Sequence, residues 1–352
     1  MTAAPSPFSP TLPKFQTSWD STSLGWLKTC PRSYQYQMLE AWEPKSRGVH
    51  LVFGGLYAAS LERYAHSRAA GEDHDKASVK MVRWALENSG ERLCYLCDGT
   101  GKLDDERECH QCNGTGGRQS HMTQTARFVP WSPTLPDGTP HPDSNIKNRF
   151  TLIRSLVWNV EERLTSPFST LIKSDGKPAV ELSFNFAAFE IEGEVISLSG
   201  HMDEVVEADG RAYVRDDKTT GSALGAQYFQ RYTPDNQMSL YSVAGKVILN
   251  RPIAGVLVKA AQIMVGGTRF QTAQVTRPEA VLTEWLRDTE EWITQARSYA
   301  ERGHFPMNDK SCFLCAFKRI CAVSPSHREA HLREDFVRRA VPWNPLASRG
   351  DI

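Results

Sequence analysis

The strongest constraint on the fold lies between residues 179 and 220. There "AVELSFNF", "VISLSGHMDEVVEA" and "RAYVRDDKTT" follow one another, rich in β-branched and aromatic residues, with "EIEGE" and "ADG" as the turn-forming separators. Three β runs joined so tightly predict an antiparallel meander, because parallel neighbours need a crossover of a dozen residues or more.

Helical periodicity surrounds the meander. "STSLGWLKTCPRSYQYQMLEAW" puts Leu24 and Leu27 on one face, with Ser21 or Ser23 as the cap and an end near Pro31. "LVFGGLYAASLERYAHSRAAG" spaces Leu56, Ser60, Leu61 and Tyr64 by helical turns and closes near Gly71, and a further helix covers 75–88. "NRFTLIRSLVWNVEERLTS" is helical as well. After the meander, "TPDNQMSLYSVAGKVIL" is a helix starting just past Pro234. "AGVLVKAAQIMV" and "TRFQTAQVTR" are two more strands, and 278–302 is a long helix. Helices, a meander, a helix and further strands make an α/β core with a mixed central sheet flanked by helices.

The expected organisation has five parts. Residues 1–20, which begin "MTAAPSPFSPTLPKF", form a flexible arm, and 21–90 the N-terminal helical part. Residues 91–143, dominated by Gly, Pro, Cys and polar residues, are an insertion. Residues 144–325 hold the core and the last cysteines, and 326–352 a docked or frayed tail in which Arg338 and Arg339 could reach DNA.

The 41 Lys and Arg equal the 41 Asp and Glu, so no overall positive field draws the protein to nucleic acid, and any such contact needs a local patch. No run reaches ~18 apolar residues, the usual length for a membrane span. "IAGVLVKAAQIMV" is interrupted by Lys259, and the N-terminus lacks the pattern of a secretory signal. The expectation is a cytoplasmic protein without a membrane partner, where spaced cysteines more often hold metal than pair as disulfides.

Strand alternation sorts the charges of "VRDDKTT". Asp216 and Lys218 point one way and Asp217 the other, while Asp203 lies on the preceding strand, joined by a short turn. Two carboxylates with an ammonium beside them suit a hard divalent ion and a water to be activated, although a solvated hairpin end is the commoner meaning of D-x-K alone.

"GHMDEVV", "YVRDDKTT" and "NQMSLYS" together resemble the PD-(D/E)XK nuclease superfamily, in particular the RecB-like nuclease domains and the CRISPR-associated iron-sulfur exonucleases. Gly200 to Asp203, Asp216 to Thr219 and Gln237 to Tyr241 match that family's G-x-(I/V)-D, D-x-K-T and Q-x-x-x-Y. The resemblance implies a restriction-endonuclease-like core in which Asp203, Asp216 and the main-chain carbonyl of Asp217 bind Mg²⁺ or Mn²⁺ and Lys218 serves the water. Gln237 and Tyr241, on one helix face, would meet DNA or the rim of the site. Glu181 stands where related nucleases often carry an acid. Where the family commonly has a metal-binding histidine, "GGLYAASLE" has Ala58, so either Glu62, His66 or water completes the ligand set or the activity is reduced. His201, two residues before Asp203, is either a substitute ligand or a plain strand residue.

The eight cysteines fall into two sets. "CYLCDGTGKLDDERECHQCNGTGG" contains two CxxCxGTG knuckles, and Cys94, Cys97, Cys109 and Cys112 on tight turns suit tetrahedral Zn²⁺. The knuckles are similar to those of DnaJ-type chaperones, with two copies instead of four. They imply a zinc-bound insertion that staples a loop or grips DNA or a protein partner. Cys30 with Cys312, Cys315 and Cys321 resembles the iron-sulfur staple of the AddB-type and CRISPR-associated nucleases, which implies a [4Fe-4S] cluster, with zinc in the same ligands as the alternative. The expected activity is metal-dependent hydrolysis of DNA, as an exonuclease on ends or single strands in DNA processing, recombination or repair, including that of phage. The alternatives are a catalytically silent binding protein on the same fold and a zinc-knuckle adaptor.

Overall fold

The computed structural model describes residues 6–45, 48–97, 100–103, 106–112, 126–135, 138–340 and 342–347. The first part of the chain runs β1 (Ser18–Trp19), α1 (Ser21–Thr29), α2 (Pro31–Tyr34), β2 (Trp42–Pro44), α3 (Val49–Ala69) and α4 (His74–Asn88). Then come β3 (Gly90–Cys94), β4 (Ala126–Pro130), α5 (Arg149–Leu164), β5 (Ser169–Thr170), β6 (Val180–Ile191), β7 (Glu194–Ala208) and β8 (Arg211–Thr220). The remainder is α6 (Ala226–Gln230), α7 (Asn236–Leu249), β9 (Ile253–Ile263), β10 (Thr268–Val275), α8 (Glu279–Glu301), α9 (Lys318–Ala322), α10 (Arg328–Asp335) and β11 (Phe336–Arg338).

β6, β7 and β8 form the expected antiparallel meander. β8 then pairs in parallel with β9, and β9 antiparallel with β10, which makes the central sheet mixed. β9 is buried along almost its whole length, as a strand covered on both faces must be. Its residues divide by parity. Val258 and Ala260 join an apolar cluster with Leu24, Leu27 and Met238, from α1 and α7. Ala261 and Ile263 join a second cluster with Phe53, Met81 and Leu156, from α3, α4 and α5. Opposite parity on one strand puts the two clusters on opposite faces of the sheet.

Two sequence expectations change at the N-terminus. The segment expected as a flexible arm is packed from residue 6 onward. Trp19 is fully buried and stacks on Tyr34, Phe15 is buried, and β1 pairs in parallel with β7 at Ser197 and Leu198. The Pro and Ser content hid two large aromatic anchors whose burial holds the segment down. The cap of α1 is Asp20, not Ser21 or Ser23. Asp20 accepts from the Ser23 amide at 2.8 Å, and the Ser23 hydroxyl accepts from the Asp20 amide at 3.1 Å, a reciprocal box with serine in its third position.

The insertion begins with β3 and β4 paired antiparallel, and its first cysteine is the last residue of β3. The second knuckle's glycines, Gly114 and Gly116, lie outside the described residues. The C-terminal segment is docked. β11 pairs with β2, Arg338 and Arg339 donate to the main-chain oxygens of Glu40 and Gln37, and Trp343 donates to Asp20 at 3.2 Å. The docked reading of this segment holds, and the two arginines that could have reached DNA are engaged in holding it against residues 37–44. No described helix is long and apolar enough to cross a membrane.

Candidate active site

The sheet forks at the two aspartates. The β7–β8 ladder runs from Ala208 opposite Arg211 to Glu204 opposite Arg215 and stops, while β8 continues along β9 from Arg215 to Thr220. The next residues into the opening are Asp203 on β7 and Asp216 on β8. Two neighbouring strands that part company open a gap between them at these positions. Gly200, three residues before Asp203, has φ +153, and a Cβ there would stand 3.0 Å from the Phe184 ring, so both conformation and space call for glycine.

Asp216 is 1% exposed, and Lys218 contacts both of its oxygens at 3.0 and 2.9 Å. Burial, with the negative charges of Asp203 and Asp217 added, pushes the Asp216 carboxyl up to about 6 despite the lysine. Burial works to lower Lys218, but Asp216 and Asp203 outweigh it and raise its affinity for its proton, so it stands as an ammonium. Lys218 also donates to Gln237 Oε1 at 2.9 Å, Gln237 Nε2 donates to the Tyr241 hydroxyl at 2.9 Å, and that hydroxyl donates to the main-chain oxygen of His201 at 2.9 Å. The two α7 residues therefore form a relay that ties Lys218 back to β7. This is a more specific arrangement than the rim or DNA contact expected of them.

The adjacent aspartates diverge as alternation requires. Asp217 faces α5, where Arg163 Nη2 meets its Oδ2 at 2.8 Å and Asn159 Nδ2 donates to its Oδ1 at 3.3 Å. Arg163 Nη1 lies 3.3 Å from Glu204, which is also paired with Arg215 and accepts from Thr170 at 2.6 Å. Burial alone would raise Asp217 and Glu204, but the guanidinium groups of Arg163 and Arg215 hold both below the ordinary carboxylate range. One side of the fork thus has an acid raised by its surroundings, and the other has two acids lowered by theirs. Sequence reasoning missed Arg163, Asn159, Glu204 and Arg215. A charged residue beside each site aspartate on otherwise apolar strands was the available signal for Glu204 and Arg215; nothing local marked the two α5 residues.

A narrow recess between α3 and the sheet is lined by Ala58, Glu62, Glu181 and Asp203, among others. Both carboxylate oxygens of Glu181 are shielded from solvent, and Glu181 has φ +48, a left-handed conformation uncommon for a non-glycine residue and rarer still inside a strand. The β6–β7 ladder has no pair at Glu181 and keeps one register on either side of it. Glu62 reaches the recess and has His66 at 3.9 Å, with the imidazole about half exposed. The ring of His201 meets the Ser183 hydroxyl at 2.9 Å and the Ala347 oxygen at 3.1 Å, contacts that fit the plain strand residue of its two expected roles.

The two cysteine sets differ in spacing. The Sγ atoms of Cys94, Cys97, Cys109 and Cys112 all lie within 4.8 Å of one another, with 3.9 Å between Cys94 and Cys109 and 3.7 Å between Cys97 and Cys112. A tetrahedral ion with ~2.3 Å bonds to sulfur needs about 3.8 Å between thiolates. Burial pushes the Cys109 thiol up to about 11, and it is the tetrahedral spacing of the four sulfurs that suits the tetrad to a metal. Cys30, Cys312, Cys315 and Cys321 instead line one recess of about 420 Å³. Among the described residues, only the first tetrad closes to single-ion distances; the second does not, nor do Asp203, Asp216 and Glu181 as a trio.

A family model described as the PD-(D/E)XK nuclease superfamily matches residues 141–322. A solved structure, the crystal structure of SSO0001, is similar over 51% of this chain and 70% of its own, at 13% identity and a TM-score of 0.28, an overlap too loose to bear on fold or activity. No curated protein matches the chain.

Proposed function

The chain belongs to the PD-(D/E)XK nuclease superfamily, the metal-dependent phosphodiester hydrolases, and from that membership we propose that it is a DNA nuclease working with Mg²⁺ or Mn²⁺, as an exonuclease on DNA ends or single strands. The observation that carries this reading is the fork, which leaves Asp203 and Asp216 facing a gap with the Lys218 ammonium beside them. The donor set fits a hard ion, since Mg²⁺ binds through one or two carboxylates and completes its shell with water and substrate phosphate. Asp203, Asp216 and the main-chain carbonyl of Asp217 would hold it, with Glu181 as a further ligand. When bound, the ion supplies an acidified water and offsets charge on the scissile phosphate.

The chain's own residues do the rest. Lys218, kept protonated by its carboxylate neighbours, donates hydrogen bonds to the attacking water or a phosphate oxygen and does not act as a base. Gln237 and Tyr241 fix where its ammonium sits. The recess beside Ala58 offers no imidazole, and that position favours the competing reading of a catalytically silent binding protein. Degradation of single- and double-stranded DNA with Mg²⁺ or Mn²⁺, compared between wild type and Asp216→Ala, separates the two. Equal inertness of both proteins across all substrates would end the nuclease reading.

For the cysteines we assign Zn²⁺ to the Cys94 tetrad and a [4Fe-4S] cluster to Cys30, Cys312, Cys315 and Cys321. Support for the cluster is the wider spacing of its four thiols around one recess: a four-iron cube holds its ligands farther apart than a single ion does. Anaerobically purified protein should be brown, with about four irons and one zinc per chain. A colourless protein with two zincs and no iron would overturn the assignment. Tyr95 with Leu96, and Phe313 with Leu314, stand exposed within the CxxC turns Cys94–Cys97 and Cys312–Cys315 and are the surfaces we propose for DNA or a protein partner. Two thiolate ligand sets suit the reducing cytoplasm.

A further inference from the structure

The buried ion network behind the fork is not explained by stability. Arg163, Glu204, Asp217 and Arg215 have side chains 5–8% exposed, and burying such charges costs enough that well-packed apolar residues are often as stable or more so. What such networks do secure is register, and here the network sits where register matters most. Glu204 and Arg215 are the last rung of the β7–β8 ladder, and Asp217 lies on β8 beyond the point of parting. Arg163, from α5, is bonded to the β7 side of the fork through Glu204 and to the β8 side through Asp217, while its Nε donates to Asn159 on its own helix at 2.8 Å. Its grip therefore spans the opening.

Each gripped acid is the chain neighbour of a site acid, Glu204 of Asp203 and Asp217 of Asp216. Successive side chains on a strand diverge, so fixing one member of each pair fixes where its neighbour projects, and Arg163, Glu204 and Asp217 line the same narrow recess as Asp203. We propose that Arg163 is a positioning residue that sets the width of the fork, and hence the separation of Asp203 and Asp216. It thereby controls divalent-metal affinity without itself being a ligand. Through the Asp217 side chain it also aims that residue's main-chain carbonyl. This rests on the reading of the fork as a metal site.

The test uses the full chain and Mn²⁺ binding by titration calorimetry, with melting temperature, circular dichroism and zinc content as controls. Arg163→Lys keeps the charge but loses the planar fork that reaches two carboxylates at once. Arg163→Met combined with Asp217→Leu removes the central pair together and avoids stranding one buried charge. Both variants should fold and melt within a few degrees of wild type, yet bind Mn²⁺ about ten- to a hundredfold more weakly, the usual effect of losing a group that orients a ligand. Wild-type Mn²⁺ affinity in either folded variant would overturn the proposal. So would failure of both to fold, since Arg163 would then be a requirement of the fold alone. If wild type binds Mn²⁺ no better than Asp216→Ala, the metal-site reading itself fails and takes this one with it.

Discussion

Replacing Asp216 by asparagine should make the metal-free protein more stable at neutral pH while abolishing activity. The Asp216 carboxyl titrates at about 6 instead of near 3.8, chiefly because it is buried, with Asp203 and Asp217 adding to the effect. At about 1.4 kcal/mol per tenfold, ionising it in the folded chain costs about 3 kcal/mol more than in the unfolded chain. Asparagine resembles the protonated acid in shape and never bears that cost. The sign follows from proton linkage. Below about pH 4 the acid is protonated in both states, so wild type and variant should melt together. As pH rises through 6 the folded wild type must release a proton that it holds more tightly than the unfolded chain does, and it loses stability relative to the variant. The gap should open between about pH 4 and pH 6 and level off at about 3 kcal/mol by pH 8. With an unfolding entropy of about 2 cal/mol/K per residue over 352 residues, the variant should melt about 4 °C above wild type at pH 8. Scanning calorimetry in chelator from pH 5 to 8 measures this. Adding Mn²⁺ should then raise the melting temperature of wild type and leave that of Asp216→Asn unchanged. A variant that melts below wild type at pH 8 in chelator, or a gap independent of pH, would refute the reasoning.

Gln237→Ala frees Lys218 from α7, and a misplaced ammonium should slow cleavage of end-labelled DNA by roughly a hundredfold while Mn²⁺ affinity stays at the wild-type level. Cys97→Ser should lose the zinc, measured by elemental analysis, and open the segment between β3 and β4 to limited proteolysis without moving the main melting transition. Trp19→Ala removes a fully buried indole stacked on Tyr34 at 5.4 Å, and urea denaturation should show a loss of about 3–5 kcal/mol. A loss below about 1 kcal/mol would return residues 6–20 to the status of a loose arm.

Much of the fold was readable because its signals are local. The meander declared itself through period-two alternation and short turns, and the opposed directions of Asp216 and Asp217 followed from strand geometry alone. The close grouping of Cys94, Cys97, Cys109 and Cys112 followed from their spacing, since each CxxC places two thiolates on one turn. What misled was composition without contacts. A Pro- and Ser-rich start suggested a free arm, yet Phe15 and Trp19 find a core made by strands and helices far along the chain. Ser21 and Ser23 looked like caps, yet Asp20 holds the role because Ser23 completes its box from the third position.

The sequence by itself determined which residues are proposed to carry the chemistry, because acid, D-x-K, glutamine and cysteine spacing are properties of short stretches. Only the tertiary structure decided how they work together. The fork exists because β8 leaves β7 after Arg215 and continues along β9, a strand more than thirty residues later. The relay exists because α7 returns to that opening, and the grip beside it because one arginine of α5 reaches both strands. These are long-range pairings whose partners leave no periodic trace in the chain.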